Sequence, residues 1–341
     1  LSPADRYVKG VQLGKGSFGT AFKCTDRKTN RELVMKVISK SRSDIDYVDI
    51  KNEAEIMEQL IHPNIVRYFD SYEDANNFYI IIEYIEGGTL KKLLDERKLD
   101  EPTIARMAEE MLMALYSLSK HKIIQGDIKP DNIFLRNDGT IVLGDFGCAK
   151  QLGTSQSKAL AGGLTREYAS PERLVGRPFG CNADIWSLGI VLYEMYAKQY
   201  PFKTSRDILM GNIIPLPKGT NPTIEKIILM ALNVNQETRI NAKDLLAILN
   251  DEYVLPDGIA RKNMRGFNLD GLNIDNAAEI ANFVSRNTSN RQEAMSLWLE
   301  ISKKAFLESD ITKWEGDGEI EWGFDRRKCR LVIKGRGVLD D

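Results

Sequence analysis

An α+β fold in two lobes is what this sequence predicts: a small antiparallel β lobe carrying one helix, then a larger, mainly helical lobe. A short extension of helices and a β-hairpin follows. Three observations carry the expectation. Strand-type segments crowd into the first 85 residues, helical apolar stripes take over from Ile104 onward, and Glu86-Gly87-Gly88 breaks the pattern between them. At 341 residues the chain is also too long for one core, since cores stop growing beyond roughly 250–300 residues.

Taken in order, Tyr7 to Leu13, Thr20 to Thr25 and Leu33 to Ile38 are rich in Val, Phe and Leu and read as strands. Asp49 to Leu60 places Ile50, Ala54, Met57 and Leu60 at helical spacing, and His62-Pro63-Asn64 stops that helix. Strands at Val66 to Tyr72 and Phe78 to Tyr84 complete the small lobe. Ile104, Met107, Met111, Leu115 and Leu118 then form one stripe on a helix ending near Lys122, while Ile185 to Ala197 is apolar on nearly every side and predicts a buried central helix. Shorter helices are expected near 223–233 and 241–250. The resulting division is a small lobe over 7–85, a hinge over 83–88, a large lobe over 89–252, a linker over 253–276 and an extension over 277–341.

Composition narrows the function classes. A formal charge of -2, from 47 basic and 49 acidic residues, offers no general attraction to nucleic acid or anionic lipid, so neither is an expected partner. No apolar run approaches the roughly 18–20 residues of a membrane span. Cys24, Cys148, Cys181 and Cys329 have no paired short spacing, and with only His62 and His121 beside them a zinc site is not expected. A reducing cytosol is the compartment this cysteine usage suits.

The chemistry is concentrated in Asp127-Ile128-Lys129-Pro130-Asp131-Asn132 and, thirteen residues on, Asp145-Phe146-Gly147. Two carboxylates and an amide at this spacing can hold magnesium and steer a hydroxyl, which points to a phosphoryl-transfer centre. Gly14-Lys15-Gly16-Ser17-Phe18-Gly19 lies between two expected strands, where its glycines would let backbone approach phosphates. A dinucleotide fingerprint would need a helix to follow, and here a strand follows. Lys36 falls on the third strand, with Glu53 mid-helix as the anion able to hold its ammonium.

In this order the motifs resemble those of the eukaryotic-type protein kinases over residues 7 to about 250. Further landmarks are Ser170-Pro171-Glu172, Asp184-Ile185-Trp186-Ser187-Leu188-Gly189 and Arg239. Within that superfamily, His62-Pro63-Asn64-Ile65-Val66-Arg67-Tyr68, Glu83-Tyr84-Ile85-Glu86-Gly87-Gly88 and Leu143-Gly144-Asp145-Phe146-Gly147 are most similar to the NIMA-related kinases. Lys129, two residues after Asp127, is similar to the serine/threonine class, as is Thr165.

The resemblance implies ATP and magnesium as cofactors and a protein Ser/Thr hydroxyl as acceptor. Asp127 would orient the hydroxyl, Lys129 would neutralise charge near the γ-phosphate, and Thr165 would contact both. Lys36, held by Glu53, would reach the α- and β-phosphates, while Asn132 and Asp145 would bind metal. Ile82 matches the gatekeeper, Glu83 and Ile85 the hinge that meets adenine, and Phe134 its floor. Ala21 and Val34 stand where the family usually has valine and alanine, a volume-conserving exchange that leaves room for ATP. Glu172 and Arg239 are expected to form a buried ion pair.

Two departures matter. Gln125 and Gly126 stand where most kinases have histidine and arginine, and Ala161-Gly162-Gly163 stands where the activation-loop phosphothreonine would lie. Losing the arginine together with its phosphate partner implies activity that does not depend on phosphorylation there. Gln125 takes the place of a histidine in an apolar stack with Tyr68, Met57 and Phe146, so it needs hydrogen-bond partners or carries a cost. On that ground a pseudokinase scaffold is the alternative reading.

In the extension, Ala277 to Ser285 and Arg291 to Ser309 read as helices. Ile320, Trp322 and Phe324 alternate before Asp325-Arg326-Arg327-Lys328, and Cys329, Leu331 and Ile333 alternate after it, which predicts a hairpin. A regulatory partner, if the protein has one, is expected there.

Overall fold

The computed structural model describes residues 3–16, 19–41, 47–152, 165–252, 321–325 and 330–334. The chain divides into two compact units, Leu1–Tyr253 and Val254–Asp341. The first opens with one helical turn, α1 (Pro3–Arg6), followed by β1 (Tyr7–Gly16), β2 (Gly19–Asp26), β3 (Arg31–Ser39), α2 (Tyr47–Gln59), β4 (Tyr68–Glu73) and β5 (Asn77–Glu83). The five strands form one antiparallel sheet in the order β1-β2-β3-β5-β4.

Register assigns the two faces of this sheet, because successive side chains point to opposite sides. Ala21 pairs with Lys36, Lys36 with Ile80, and Val34 with Ile82, so all five share one face. Cys24, Leu33, Met35 and Ile81 take the other, where they are buried with Tyr7 in a cluster flanked by Tyr72 and Tyr79. Burying that apolar face fixes the register, and the register aims Lys36 away from it. The strand predicted from Val66 begins instead at Tyr68. The N–H of Val66 goes to the Leu143 carbonyl at 2.8 Å and Ile65 bridges Leu143, so this stretch is drawn to the large lobe before the sheet claims it.

The large lobe runs through α3 (Leu90–Glu96), α4 (Glu101–Lys120), β6 (Ile123–Ile124), β7 (Ile133–Leu135), β8 (Ile141–Leu143), β9 (Lys150–Gln151), α5 (Pro171–Leu174), α6 (Asn182–Ala197), α7 (Ser205–Met210), α8 (Pro222–Ala231) and α9 (Ala242–Glu252). Asp100 caps α4 by accepting the Thr103 N–H at 2.9 Å. The stripe Ile104, Met107, Met111, Leu115 and Leu118 is buried as expected. Helix α6 is enclosed on all sides, with Ile185, Trp186, Leu188, Ile190, Val191 and Leu192 all buried. No described helix is long and apolar enough to cross a membrane.

In the second unit, β10 (Glu321–Asp325) and β11 (Arg330–Lys334) pair antiparallel, with Trp322 opposite Ile333 and Phe324 opposite Leu331. Ile320 and Cys329, the linker over 253–276 and the helices expected at 277–285 and 291–309 lie outside the described residues.

Candidate active site

Strand β3 and helix α2 meet at the ion pair expected from the sequence: Lys36 Nζ donates to Glu53 Oε1 at 2.6 Å and also reaches Asp145 Oδ1 at 3.4 Å. Burial opposes a charged lysine, but the carboxylates of Glu53 and Asp145 outweigh it and hold the ammonium above the ordinary lysine range. The same Lys36 charge overcomes burial at Asp145 and keeps that carboxyl below its usual value. The Asp145 side chain remains 38% exposed. Its backbone is left-handed, with φ 50°, a conformation a non-glycine residue holds only where its surroundings enforce it.

Below it lies the second constellation. Thr165 donates its hydroxyl to Asp127 Oδ1 at 2.8 Å, and Lys129 Nζ bridges Thr165 Oγ1 at 2.8 Å and Asp127 Oδ2 at 2.7 Å. Asn132 Nδ2 donates to Asp127 Oδ2 at 2.8 Å and to the Asp127 carbonyl at 2.9 Å. The Asn132 amide nitrogen is thus committed to Asp127, and its carbonyl oxygen is left as an acceptor. Oxygen donors from Asn132 and Asp145 suit a hard cation such as magnesium. The backbone brings the two together, since Gly144 N–H donates to the Asn132 carbonyl at 2.9 Å and β7 pairs with β8.

Gln125 is fully buried and fully employed. Its Nε2 donates to the carbonyls of Gly144 and Asp145, both at 2.9 Å, and its Oε1 accepts the Asp127 N–H at 2.7 Å. The amide therefore ties the Asp127 loop to the Asp145 loop, and the ground for expecting a weakened centre disappears. Met57 and Phe146 are buried, whereas Tyr68 is half-buried with its hydroxyl on Ser71 at 2.9 Å. Replacing Gln125 by leucine should leave three backbone groups unpaired. Stability is expected to fall by at least about 1–3 kcal/mol, read as a lower urea midpoint at unchanged slope.

Asp184, at the start of α6, accepts the N–H groups of Gln125 at 2.7 Å and Gly126 at 2.9 Å. Burial still pushes its carboxyl up to about 6, against the lowering effect of those two bonds. The expected Glu172–Arg239 pair is present and buried, with Nη1 to Oε1 at 2.7 Å and Nη2 to Oε2 at 3.0 Å.

Among the residues expected to meet nucleotide, Gly19 has no room for a side chain, because a Cβ would lie 2.6 Å from the Val37 carbonyl. Gly14 and Gly16 meet nothing so close, so the protein's own packing does not demand their bareness. Lys15 pairs with Thr20 in the hairpin, and Ser17 and Phe18 lie outside the described residues. Phe134 packs against Gly144, where a Cβ would come within 2.6 Å of its ring. Ile82 and Ile85 are half-buried.

Arg136 is a residue that motif reading missed. Its guanidinium grips the Glu83 carboxylate at 2.9 and 3.1 Å through Nη2, and Nη1 donates to the Pro63 carbonyl at 2.7 Å. It thus pins the hinge and the loop after α2 to the turn after β7. The only sequence signal was a basic residue following Ile133-Phe134-Leu135.

A small sheet lobe above a helical lobe, with this constellation at their junction, is the arrangement of a protein-directed phosphotransferase. A model of the protein kinase domain matches residues 7–253, more than half of the chain, and the chain belongs to that family. Its relatives include serine/threonine-protein kinase Nek1 of Mus musculus, 34% identical over 224 residues that cover 64% of this chain and 18% of that protein. The probable serine/threonine-protein kinase nek2 of Dictyostelium discoideum is 35% identical over 259 residues, covering 71% of this chain and 62% of that protein. Serine/threonine-protein kinase 36 of Pongo abelii is 32% identical over 248 residues, covering 71% and 19%. The chain therefore spans from about a fifth to three fifths of the length of these relatives. The similarity to NIMA-related kinases expected from the motifs agrees with two of these three names.

Proposed function

We propose that this chain is an active serine/threonine protein kinase that moves the γ-phosphate of ATP to a Ser or Thr hydroxyl of a protein. The observation that carries the reading is the Asp127–Lys129–Thr165 triangle, closed by contacts of 2.7 to 2.8 Å and lying one loop away from the Lys36–Glu53 pair.

Adenine would lie between Ala21 and Val34 above and Phe134 below, with Ile82 behind it and the backbone of Glu83 and Ile85 at its edge. The Gly14–Gly19 hairpin would cover the phosphates, and Lys36 would pair with the α- and β-phosphates. Magnesium, held by Asn132 and Asp145, would neutralise charge on the β- and γ-phosphates. Asp127 would accept the hydrogen bond of the substrate hydroxyl and aim it, with proton removal late in a loose transition state. Lys129 would offset charge building on the transferred group, and Thr165 would hold both Lys129 and Asp127 in place.

Transfer of labelled γ-phosphate to casein or to the chain itself, located by mass spectrometry, tests the reading. Phosphoserine or phosphothreonine should form with wild type and be lost with Asp127→Asn. No transfer by a folded wild type would overturn it.

Activity is further proposed not to wait on a phosphate at the usual activation-loop site, where the sequence has Ala161, outside the described residues. Phosphatase-treated protein should retain its kcat. A large loss traced to that segment would refute this.

A further inference from the structure

A glycine, Gly126, immediately precedes Asp127. Gly126 has a left-handed backbone, φ 81°, and a Cβ there would lie 2.9 Å from the Cys148 carbonyl. A side chain at this position would therefore be both strained and crowded. Without one, Gly126 must be held by its backbone alone. Its N–H goes to Asp184 Oδ1 at 2.9 Å, and its carbonyl accepts Nη1 of Arg173 at 2.6 Å.

Arg173 belongs to α5, just past Pro171-Glu172, and its guanidinium carbon lies 4.9 Å from the centroid of the Phe179 ring. Stacking on Phe179 limits where the planar fork can swing. A charge-assisted hydrogen bond from a fixed guanidinium is roughly twice as strong as a neutral one. A cation thus stands beside the catalytic loop even though position 126 carries none, and its partner is a carbonyl that is always present.

We propose that Arg173 is a positioning residue for phosphoryl transfer: by holding the Gly126 carbonyl it fixes Asp127 in its working place, the task that an arginine at 126 would share with a phosphate. The proposal rests on the kinase reading above. Arg173 touches no reacting atom and acts through Gly126 on Asp127. It also joins the end of the activation segment to the catalytic loop by a contact that needs no modification.

The test compares the full chain with Arg173→Met and Arg173→Lys, reading kcat, the KM for ATP and the urea midpoint of each. Methionine keeps an apolar stem against Phe179 but donates nothing, and lysine keeps a charged donor. Arg173→Met should lower kcat about tenfold or more, because small misplacements of a catalytic group cost rate steeply, while its KM for ATP stays within about twofold of wild type. Arg173→Lys should recover part of the lost kcat, since it restores a charged donor but not the planar fork stacked on Phe179. A kcat for Arg173→Met within about twofold of wild type would overturn the proposal. So would a rise in KM matching the fall in kcat, or failure of both variants to fold, since each makes the residue a general support. A wild type that transfers no phosphate would sink the kinase reading and this proposal together, whereas an active wild type with an unaffected Arg173→Met sinks this proposal alone.

Discussion

Asp127→Asn should lower kcat by about 10²- to 10⁴-fold, the range typical of a lost acid–base or hydroxyl-orienting group, while the chain stays folded. The reason lies in the donors around the carboxylate. Oδ1 accepts from Thr165, and Oδ2 accepts from both Asn132 and Lys129. An amide can keep those partners only by turning its NH₂ toward Thr165, whose hydroxyl can accept as well as donate, and it then has no carboxylate charge and only one acceptor oxygen. The substituted side chain can stay in place, but it offers a substrate hydroxyl a donor or a neutral oxygen where the carboxylate offered a charged acceptor. Initial rates at saturating ATP measure the effect, and circular dichroism with a urea melt checks the fold. A kcat within tenfold of wild type would remove Asp127 from the role assigned to it.

Arg239→Ala should cost about 3–5 kcal/mol of stability, the usual penalty for stripping one partner from a buried ion pair. The guanidinium is 0% exposed and the Glu172 side chain 4% exposed, so nothing from solvent replaces the lost partner. Arg239 also donates from Nε to the Asn233 carbonyl at 2.8 Å and from Nη1 to the Asn182 carbonyl at 2.9 Å, and it lies over the Trp186 ring. Its removal would loosen the start of α6 and the approach to α9 at once. Burial by itself would raise the Glu172 carboxyl, yet the hydrogen bonds and charge of Arg239 bring it below the ordinary glutamate value. A depressed carboxyl adds stability above its unfolded value and loses it as pH falls through the folded one. Acid should therefore destabilise the wild type through this pair, and Arg239→Ala should lose that part of the pH dependence. Urea midpoints at neutral and acid pH, compared at constant slope, read both effects.

The residues of the cleft were legible because their chemistry dictates spacing. An aspartate, an asparagine five positions on and a second aspartate thirteen further have few other uses, and Lys36 with Glu53 gains meaning only beside them. The sheet was legible through alternation, and strand lengths came out longer than expected mainly where hairpin pairing extends past the apolar run, as at Gly14 to Gly16 in β1. What stayed hidden are contacts that join distant segments without periodicity. Arg173 to Gly126 spans 47 positions and Arg136 to Glu83 spans 53, and neither end announces the other. Gln125 looked like a liability because its partners, the Gly144 and Asp145 carbonyls and the Asp127 N–H, are backbone groups that a sequence does not display. The short helix α7 was also missed. Thr204 and Asp207 form a capping box there, so the signal existed in the sequence.

Titration of the folded chain with ATP, with and without magnesium and alongside Asp145→Asn, tests the central claim most directly, because the cleft is held to grip a triphosphate through a cation. Magnesium should tighten nucleotide binding by the wild type and make little difference to Asp145→Asn. Equal affinity with and without magnesium in a folded wild type, or no nucleotide binding at all, would contradict the assignment.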